Sequence, residues 1–301
     1  MPKPKGIMPQ RSRRTQRMTS PKVLLKAWNL RPKKKLGQHF LVDPSTAEMI
    51  VRRSRITSKD TVMEIGAGLG ALTIPVAKIA GCVYAVETDS QLTPLLKNEL
   101  LVHKLTNVEI IEKNILSIDI HSLAKKLDRR LIVMGNLPYN ISSQVLIQLI
   151  EARQHVNRAI LMFQKELARR ITASPGNKDY GRLTVMLSYC AEIKSIATIA
   201  ASLFYPAPKI DSEVVGVNFN ILRPYPLHDE SMLFEVIKAA FGNRRKTLKN
   251  ALSTSGLHVD PQIAHQALTA AGIDPARRAE TLAVTEFVAL QISLTQALNV
   301  S

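Results

Sequence analysis

The spacing of apolar residues divides the chain into three stretches. Up to about residue 30 there is little apolar periodicity. From residue 57, short β-branched runs alternate with helical segments, the pattern of strands joined by covering helices. Residues 61–65 read as a buried strand, followed by a glycine loop and an apolar helix over 72–79. Residues 82–86 make a second strand, 92–101 a helix, 108–111 a third strand and 131–134 a fourth. A fifth is expected over 159–163 and the last over 214–219. Strands alternating with helices require right-handed crossovers, hence a largely parallel sheet covered on both faces. Past Leu222, Pro224 and Pro226 interrupt this pattern and helical periodicity continues without strands. Leu233, Val236, Ile237, Ala240 and Phe241 share one helical face, so a small helical region is expected from near Asp229.

With 301 residues, 46% of them apolar, the chain is long enough for two domains and a sizeable core. The net charge of +17 points to a polyanionic partner, nucleic acid first and a membrane surface second. Twelve lysines and arginines precede the first acidic residue, Asp43. Residues 1–32 therefore read as a basic flexible arm that settles on phosphate. A solubilising tail and an organelle transit peptide are the other readings of that composition. No apolar run reaches the roughly 18 residues of a spanning helix, and no apolar segment of a secretory signal follows the basic start. A cytoplasmic protein is expected, neither exported nor in a membrane. Cys82 and Cys190 lie in apolar stretches, without Cys-x-x-Cys or a histidine cluster of metal spacing. Both read as reduced, packed thiols, and no metal is expected.

The chemistry is concentrated in two loops. The segment EIGAGLGA, from Glu64 to Ala71, lies between a strand and a helix, where glycines permit φ > 0 and close approach of backbone to a ligand. Gly66, Gly68 and Ala71 satisfy the dinucleotide fingerprint, and Glu87, about 20 residues on, is placed for two ribose hydroxyls. NAD and S-adenosylmethionine both remain open at this point. The second loop follows the fourth strand in LIVMGNLPYNISS, residues 131–143. In doubly wound sheets the first and fourth strands are neighbours, so Asn136-Leu137-Pro138-Tyr139 is expected to face the glycine loop. An exocyclic amino group on a base is a poor nucleophile, because its lone pair is delocalised into the ring. Two acceptors for its hydrogens, the Asn136 amide oxygen and the carbonyl of Leu137 or Pro138, favour a pyramidal nitrogen. Proline fixes such a turn, and Tyr139 offers a flat face to an unstacked base. Neither hydride transfer nor hydrolysis would use this set. An ordinary strand-to-helix turn capped by Asn140 or Ser142 is the plain alternative.

Asn-Leu-Pro-Tyr resembles the (Asn/Asp/Ser)-Pro-Pro-(Tyr/Phe) motif of amino-methyltransferases, in the variant of the ribosomal RNA adenine dimethyltransferases. KKKLGQHFLVD, VMEIGAGLGALT, GNLPYNISSQ, FQKELARRI, DYGRLTVMLSYC, FYPAPKIDSEVV and FGNRRKTLKNAL extend the likeness over nearly everything after Lys33. The chain resembles the bacterial KsgA/RsmA family of small-subunit rRNA adenine N6,N6-dimethyltransferases. The resemblance implies an α/β fold: a Rossmann-like class I methyltransferase domain over 33–225, with a mostly parallel seven-stranded sheet, then a small all-α C-terminal domain over 226–301. It implies S-adenosylmethionine as cofactor. Its substrate would be two adjacent adenines in the 3′-terminal hairpin loop of 16S rRNA, modified by a monomer during late assembly of the small ribosomal subunit.

Roles follow by the same resemblance. Asn136, Leu137, Pro138 and Tyr139 match the catalytic turn, and Phe204 matches an aromatic that holds the target adenine. Unaided, Phe204 reads as a core residue ahead of an X-Pro segment. Gln38, His39 and Leu41 would close over the methionine part of the cofactor, with Gly66, Gly68 and the Asn136 backbone beside it and Glu87 on the ribose. Where the family usually has an acidic residue for the cofactor's adenine amino group, this chain has Asn114. Its amide oxygen is expected to accept in its place, without the charge that strengthens such a bond. Lys33, Lys34, Lys35, Arg244, Arg245, Lys246 and Lys249 are expected on RNA phosphates, the last four on the polar side of the helix that carries Leu233. A solvated helix face would account for them as well. The competing functions are an Erm-type 23S rRNA adenine methyltransferase and a catalytically weak assembly or RNA-binding protein. LGQHFL, YGRLTV and RRKTLKNAL favour the small-subunit family.

Overall fold

The computed structural model describes residues 19–220, 225–226, 229–243 and 245–300. The chain opens with α1 (Pro21–Ala27), β1 (Phe40–Leu41) and α2 (Pro44–Ser54). Alternating units follow: β2 (Thr61–Ile65), α3 (Thr73–Ala77), β3 (Cys82–Glu87), α4 (Thr93–Val102), β4 (Val108–Glu112), α5 (Ile120–Leu127), β5 (Leu131–Asn136), α6 (Ser142–Glu151) and β6 (Val156–Gln164). Then come α7 (Lys165–Ile171), α8 (Arg182–Cys190), β7 (Glu192–Ile199), β8 (Phe204–Tyr205) and β9 (Ser212–Asn218). Four helices close the chain: α9 (Glu230–Ala240), α10 (Leu248–Ser253), α11 (Pro261–Ala270) and α12 (Val284–Val300).

Seven strands form the main sheet in the order β4-β3-β2-β5-β6-β9-β7. The first five are parallel, and β9 and β7 continue it antiparallel. Apolar side chains on β5 alternate between faces: Leu131 and Val133 join one core cluster, Ile132 and Met134 the other. A strand sealed on both faces needs the unbroken apolar run seen at 131–134. β7 was not anticipated from the sequence. It lies at the sheet edge with Glu192, Lys194 and Ser195 exposed, so it lacks the apolar run that marks the inner strands.

The arm expected to be flexible through residue 32 is helical over Pro21–Ala27, which corrects that expectation. Leu24 and Leu25 are buried against Phe40, Leu69, Leu92 and Leu95, an apolar site built by distant segments. The helix ends in a Schellman motif. Asn29 takes φ 52 and its N–H reaches Lys26 O at 3.2 Å, while Leu30 N–H reaches Leu25 O at 2.8 Å. Residues 1–18 of the arm lie outside the described residues.

The C-terminal helices enclose a second core around Leu233, Val236, Ile237, Leu268 and Phe287. Tyr180 and Val185 enter it from the neighbourhood of α8, and the Tyr180 hydroxyl donates to Leu282 O at 3.0 Å. Asp229 caps α9 by accepting Met232 N–H at 3.1 Å. This helix stops before the basic cluster, because Gly242 and Asn243 follow its last turn. Arg245 and Lys246 therefore sit in the connection to α10, and Lys249 sits on α10 itself. They do not share the helix of Leu233, as had been expected, and Arg244 lies outside the described residues. No disulfide joins Cys82 and Cys190. Among the described residues no helix is long and apolar enough to cross a membrane.

At the centre of the sheet Ile65 pairs with Gly135, and a Cβ on Gly135 would stand 2.5 Å from Ile65 O. Neither backbone has room to move between two packed faces. Gly135→Ala is expected to destabilise the protein by about 1–3 kcal/mol, read as a lower denaturant midpoint, with loss of the cavity described next.

Candidate functional site

β2 and β5 are adjacent, and the loops beyond their carboxyl ends wall a single cavity. Gly66 takes φ +74 and gives its N–H to Val86 O at 2.9 Å. A Cβ built on it would lie 3.6 Å from Asn136 O, so the glycine loop and the Asn-Leu-Pro-Tyr turn face each other as expected. Gly68, at φ +56, donates its N–H to Glu87 Oε2 at 2.8 Å, and a Cβ there would meet the Phe40 ring at 3.3 Å. Both positions need glycine.

Three buried carboxyls surround this loop. Glu87 accepts Asp89 N–H on Oε1 at 2.8 Å. Burial raises its pKa above the ordinary value, against the pull of the Asp89 and Gly68 amides. Glu64, missed in the sequence, is fully enclosed beneath the loop. Burial, opposed by Thr73 and reinforced by Glu87, pushes its carboxyl up to about 8. Its Oε2 finds no hydrogen-bond partner among the described residues, an uncommon state for a buried acceptor. The signal for it was a charged residue inside an otherwise apolar five-residue strand. Asp89, also missed, takes Lys33 Nζ at 2.6 Å and Gln38 Nε2 at 2.8 Å. Its burial works upward, yet the bonds from Lys33 and Gln38 leave its pKa below the ordinary carboxylate value.

Lys33 is therefore committed to Asp89 and is corrected from an RNA contact to a brace. Its N–H also reaches Gln38 Oε1 at 2.7 Å. Lys34 and Lys35 remain exposed. The His39 ring stacks on Tyr139 with centroids 5.6 Å apart. Its Nδ1 lies 2.7 Å from Pro206 O, and since a carbonyl only accepts, Nδ1 carries the hydrogen. Leu41 is buried in the wall.

The turn itself is fixed atom by atom. Asn136 Nδ2 donates to His39 O at 2.8 Å, and its Oδ1 accepts from none of the described residues. Leu137 N–H donates to Met162 O at 3.2 Å. Pro138 O accepts from Ile141 N–H at 3.2 Å and from the Ser142 hydroxyl at 2.9 Å. Of the two carbonyls proposed as second acceptor, Pro138 is thus occupied, while Leu137 O accepts from none of the described residues. The plain capped turn is not formed, because the N-cap of α6 is Ile141, which has no side-chain cap bond, and Ser142 bonds back to Pro138. Tyr139 hydroxyl stands 3.4 Å from Ser212 Oγ, and burial pushes its phenol above the ordinary pKa.

One further expectation is corrected. Phe204 is 4% exposed, in the core with Leu41, Ile199 and Val214, and does not line the cavity. Its strand β8 pairs with β1, and strand alternation turns it inward. Asn114 lines the cavity, and its Oδ1 caps the following turn by accepting Leu116 N–H at 3.0 Å, which leaves that oxygen one lone pair. Arg245 is exposed, Lys246 Nζ donates to Thr254 Oγ1 at 3.0 Å, and neither they nor Lys249 line the cavity.

A positive-φ glycine cradle and a buried acid, Glu87, at the end of β3 fit a nucleoside. Fold and cavity together are those of a Rossmann-like, S-adenosylmethionine-dependent methyltransferase. The sequence model of one family, described as ribosomal RNA adenine dimethylase, matches residues 29–296, and the chain belongs to that family. It is 50% identical over 277 residues to ribosomal RNA small subunit methyltransferase A of Desulforapulum autotrophicum, covering 92% of this chain and 97% of that one. The protein of the same name in Magnetococcus marinus is 43% identical over 270 residues, covering 89% and 94%. A dimethyladenosine transferase from Plasmodium falciparum shares the fold with TM-score 0.69 at 24% identity, covering 86% of this chain and 98% of that one. So does the 23S rRNA methyltransferase ErmE, with TM-score 0.63 at 24% identity, covering 85% and 100%.

The raised pKa of Glu64 has a thermodynamic signature. The folded state holds this proton more tightly than the unfolded chain, so the stability it contributes is full below about pH 4.5 and is lost as pH rises to about 8. Glu64→Gln removes the titration. Without cofactor, its Tm is expected to exceed that of the parent increasingly between pH 5 and pH 8, and parallel Tm-against-pH curves would contradict the assignment.

Proposed function

We propose that the protein methylates N6 of two adjacent adenines in the 3′-terminal hairpin loop of 16S rRNA, giving N6,N6-dimethyladenosine, during late assembly of the small ribosomal subunit. It acts on rRNA within that subunit, in the cytoplasm and as a monomer. The observation that carries this is the orientation of Asn136: its amide nitrogen is spent on His39 O, which leaves Oδ1 and Leu137 O as two open acceptors in one turn. Two N–H hydrogens of an exocyclic amine held there give a nitrogen whose lone pair leaves the ring plane. The names of the relatives support the small subunit as the source of that amine.

S-adenosylmethionine, when bound, supplies an activated methyl group on a sulfonium. Glu87 would take the ribose hydroxyls, its carboxylate already aimed by the Gly68 and Asp89 amides and still holding free lone pairs. Gly66, Gly68 and Asn136 backbone, with Gln38, His39 and Leu41, would enclose the methionine part, and Asn114 the adenine. Positioning and exclusion of water carry the acceleration. Tyr139 stays neutral, because burial raises its pKa, and serves as a flat face for the unstacked base. No strong base is required before attack, since the amine becomes acidic on alkylation and then releases its proton to water or through Asn136. Lys34, Lys35, Arg244, Arg245, Lys246 and Lys249 would grip the RNA backbone without choosing sequence.

The test is methyl transfer from labelled S-adenosylmethionine to small subunits lacking these methyl groups, with nucleoside analysis of the product. N6,N6-dimethyladenosine is expected, and Asn136→Ala should lower the rate about a hundredfold or more while cofactor binding persists, the scale of losing one preorganised polar contact. Transfer only to large-subunit RNA would place the protein with the Erm type, and binding without transfer would make it an assembly factor. In Asn114→Asp, one oxygen keeps the Leu116 cap and the other becomes a free charged acceptor. Calorimetry should then show cofactor binding about fivefold tighter.

A further inference from the structure

Trp28 is the single tryptophan of the chain, and it is 47% exposed. Its position is nonetheless held. It caps α1, its N–H bonded to Leu24 O at 3.1 Å, and the Schellman closure behind it places Leu30 in the same apolar cluster as Leu25 and Phe40. An indole carried on a fixed backbone and left in water gains much contact area on binding. Its surroundings define what would cover it. Lys22, Lys26, Arg31, Lys34 and Lys35 are exposed on this segment, with no acidic residue before Asp43, so a polyanion is the complementary partner.

The other end of α1 belongs to the cavity, where Thr19 and Pro21 are part of the lining. At a helical rise of roughly 1.5 Å per residue, Trp28 stands about 10 Å further along. That is the length of about three stacked nucleotides of one strand. Trp28 also lies immediately ahead of the stretch matched by the family model.

We propose that Trp28 is a stacking platform for an unpaired base of the RNA substrate, a few nucleotides from the adenine in the cavity, with Lys26, Arg31, Lys34 and Lys35 on the adjoining phosphates. The proposal rests on rRNA being the substrate. Every base presents a π face, so the platform adds grip without sequence choice.

Because no other tryptophan is present, the indole fluorescence of the full chain reports on this residue alone. Titration with a single-stranded oligoadenylate RNA is expected to quench it to saturation. Heparin, a polyanion without bases, is expected to bind without comparable quenching. Equal quenching by heparin, or none by the RNA, overturns the proposal. In methyl transfer, Trp28→Ala should raise KM for methyl-deficient small subunits at least about fivefold, the low end for one stacked base, with kcat and cofactor affinity unchanged. Trp28→Phe should restore most of the loss, and a KM unchanged in Trp28→Ala overturns the platform. If the parent transfers no methyl to small subunits while oligoadenylate still quenches, the substrate reading has failed and the platform stands.

Discussion

Everything at the site hangs from the parallel pairing of β2 with β5. Ile65 and Gly135 pass so closely that the second position has no room for a side chain, and this brings the ends of the two strands to one crevice. On either side of that seam the sheet is extended in opposite directions, by β3 and β4 one way and by β6 the other. The chain leaves the sheet upward at both strands, and the gap between the two departing loops is the cavity. A glycine loop or an Asn-Leu-Pro-Tyr turn elsewhere on the surface would be an ordinary connection.

Three acids lie near this seam in different states, and environment alone separates them. Glu64, sealed under the loop with an unpartnered oxygen, keeps its proton far above the usual range. Glu87 is also raised by burial, yet two backbone amides hold its carboxylate in one orientation. Asp89 is lowered because Lys33 and Gln38 reach it. The pair formed by Lys33 and Asp89 does more than balance charge. It anchors the segment that supplies Gln38, His39 and Leu41, so that the wall of the cavity opposite the glycine loop depends on a contact between residues 56 positions apart.

The same fold with TM-score 0.63 occurs in a protein named 23S rRNA methyltransferase ErmE, while relatives of this chain are named for small-subunit rRNA, so the fold alone does not choose the substrate. What distinguishes such proteins has to lie in surfaces around the cavity rather than in the sheet. Here the cavity rim carries a docked N-terminal helix with exposed lysines, and a second set of basic residues lies between α9 and α10.

Local pattern was enough to read the inner strands and the two loops, because each depends on residues adjacent in sequence: an apolar run sealed on two faces, glycines at positive φ, a proline in a tight turn; that the loops face each other followed from the strand order of doubly wound sheets. β7 escaped because an edge strand with one wet face carries no continuous apolar run. The other departures share one cause, the choice of partner by distant segments. Leu24 and Leu25 order a basic arm only because Leu69, Leu92 and Leu95 are brought beneath them. Lys33 turns from phosphate to Asp89, and Phe204 is drawn inward by pairing with β1. The sequence by itself determined the class of fold and the place of the Asn-Leu-Pro-Tyr turn at the end of a central strand. Only the tertiary structure decided which polar groups remain free to act, since a hydrogen-bonding group is available only when no nearer partner has taken it.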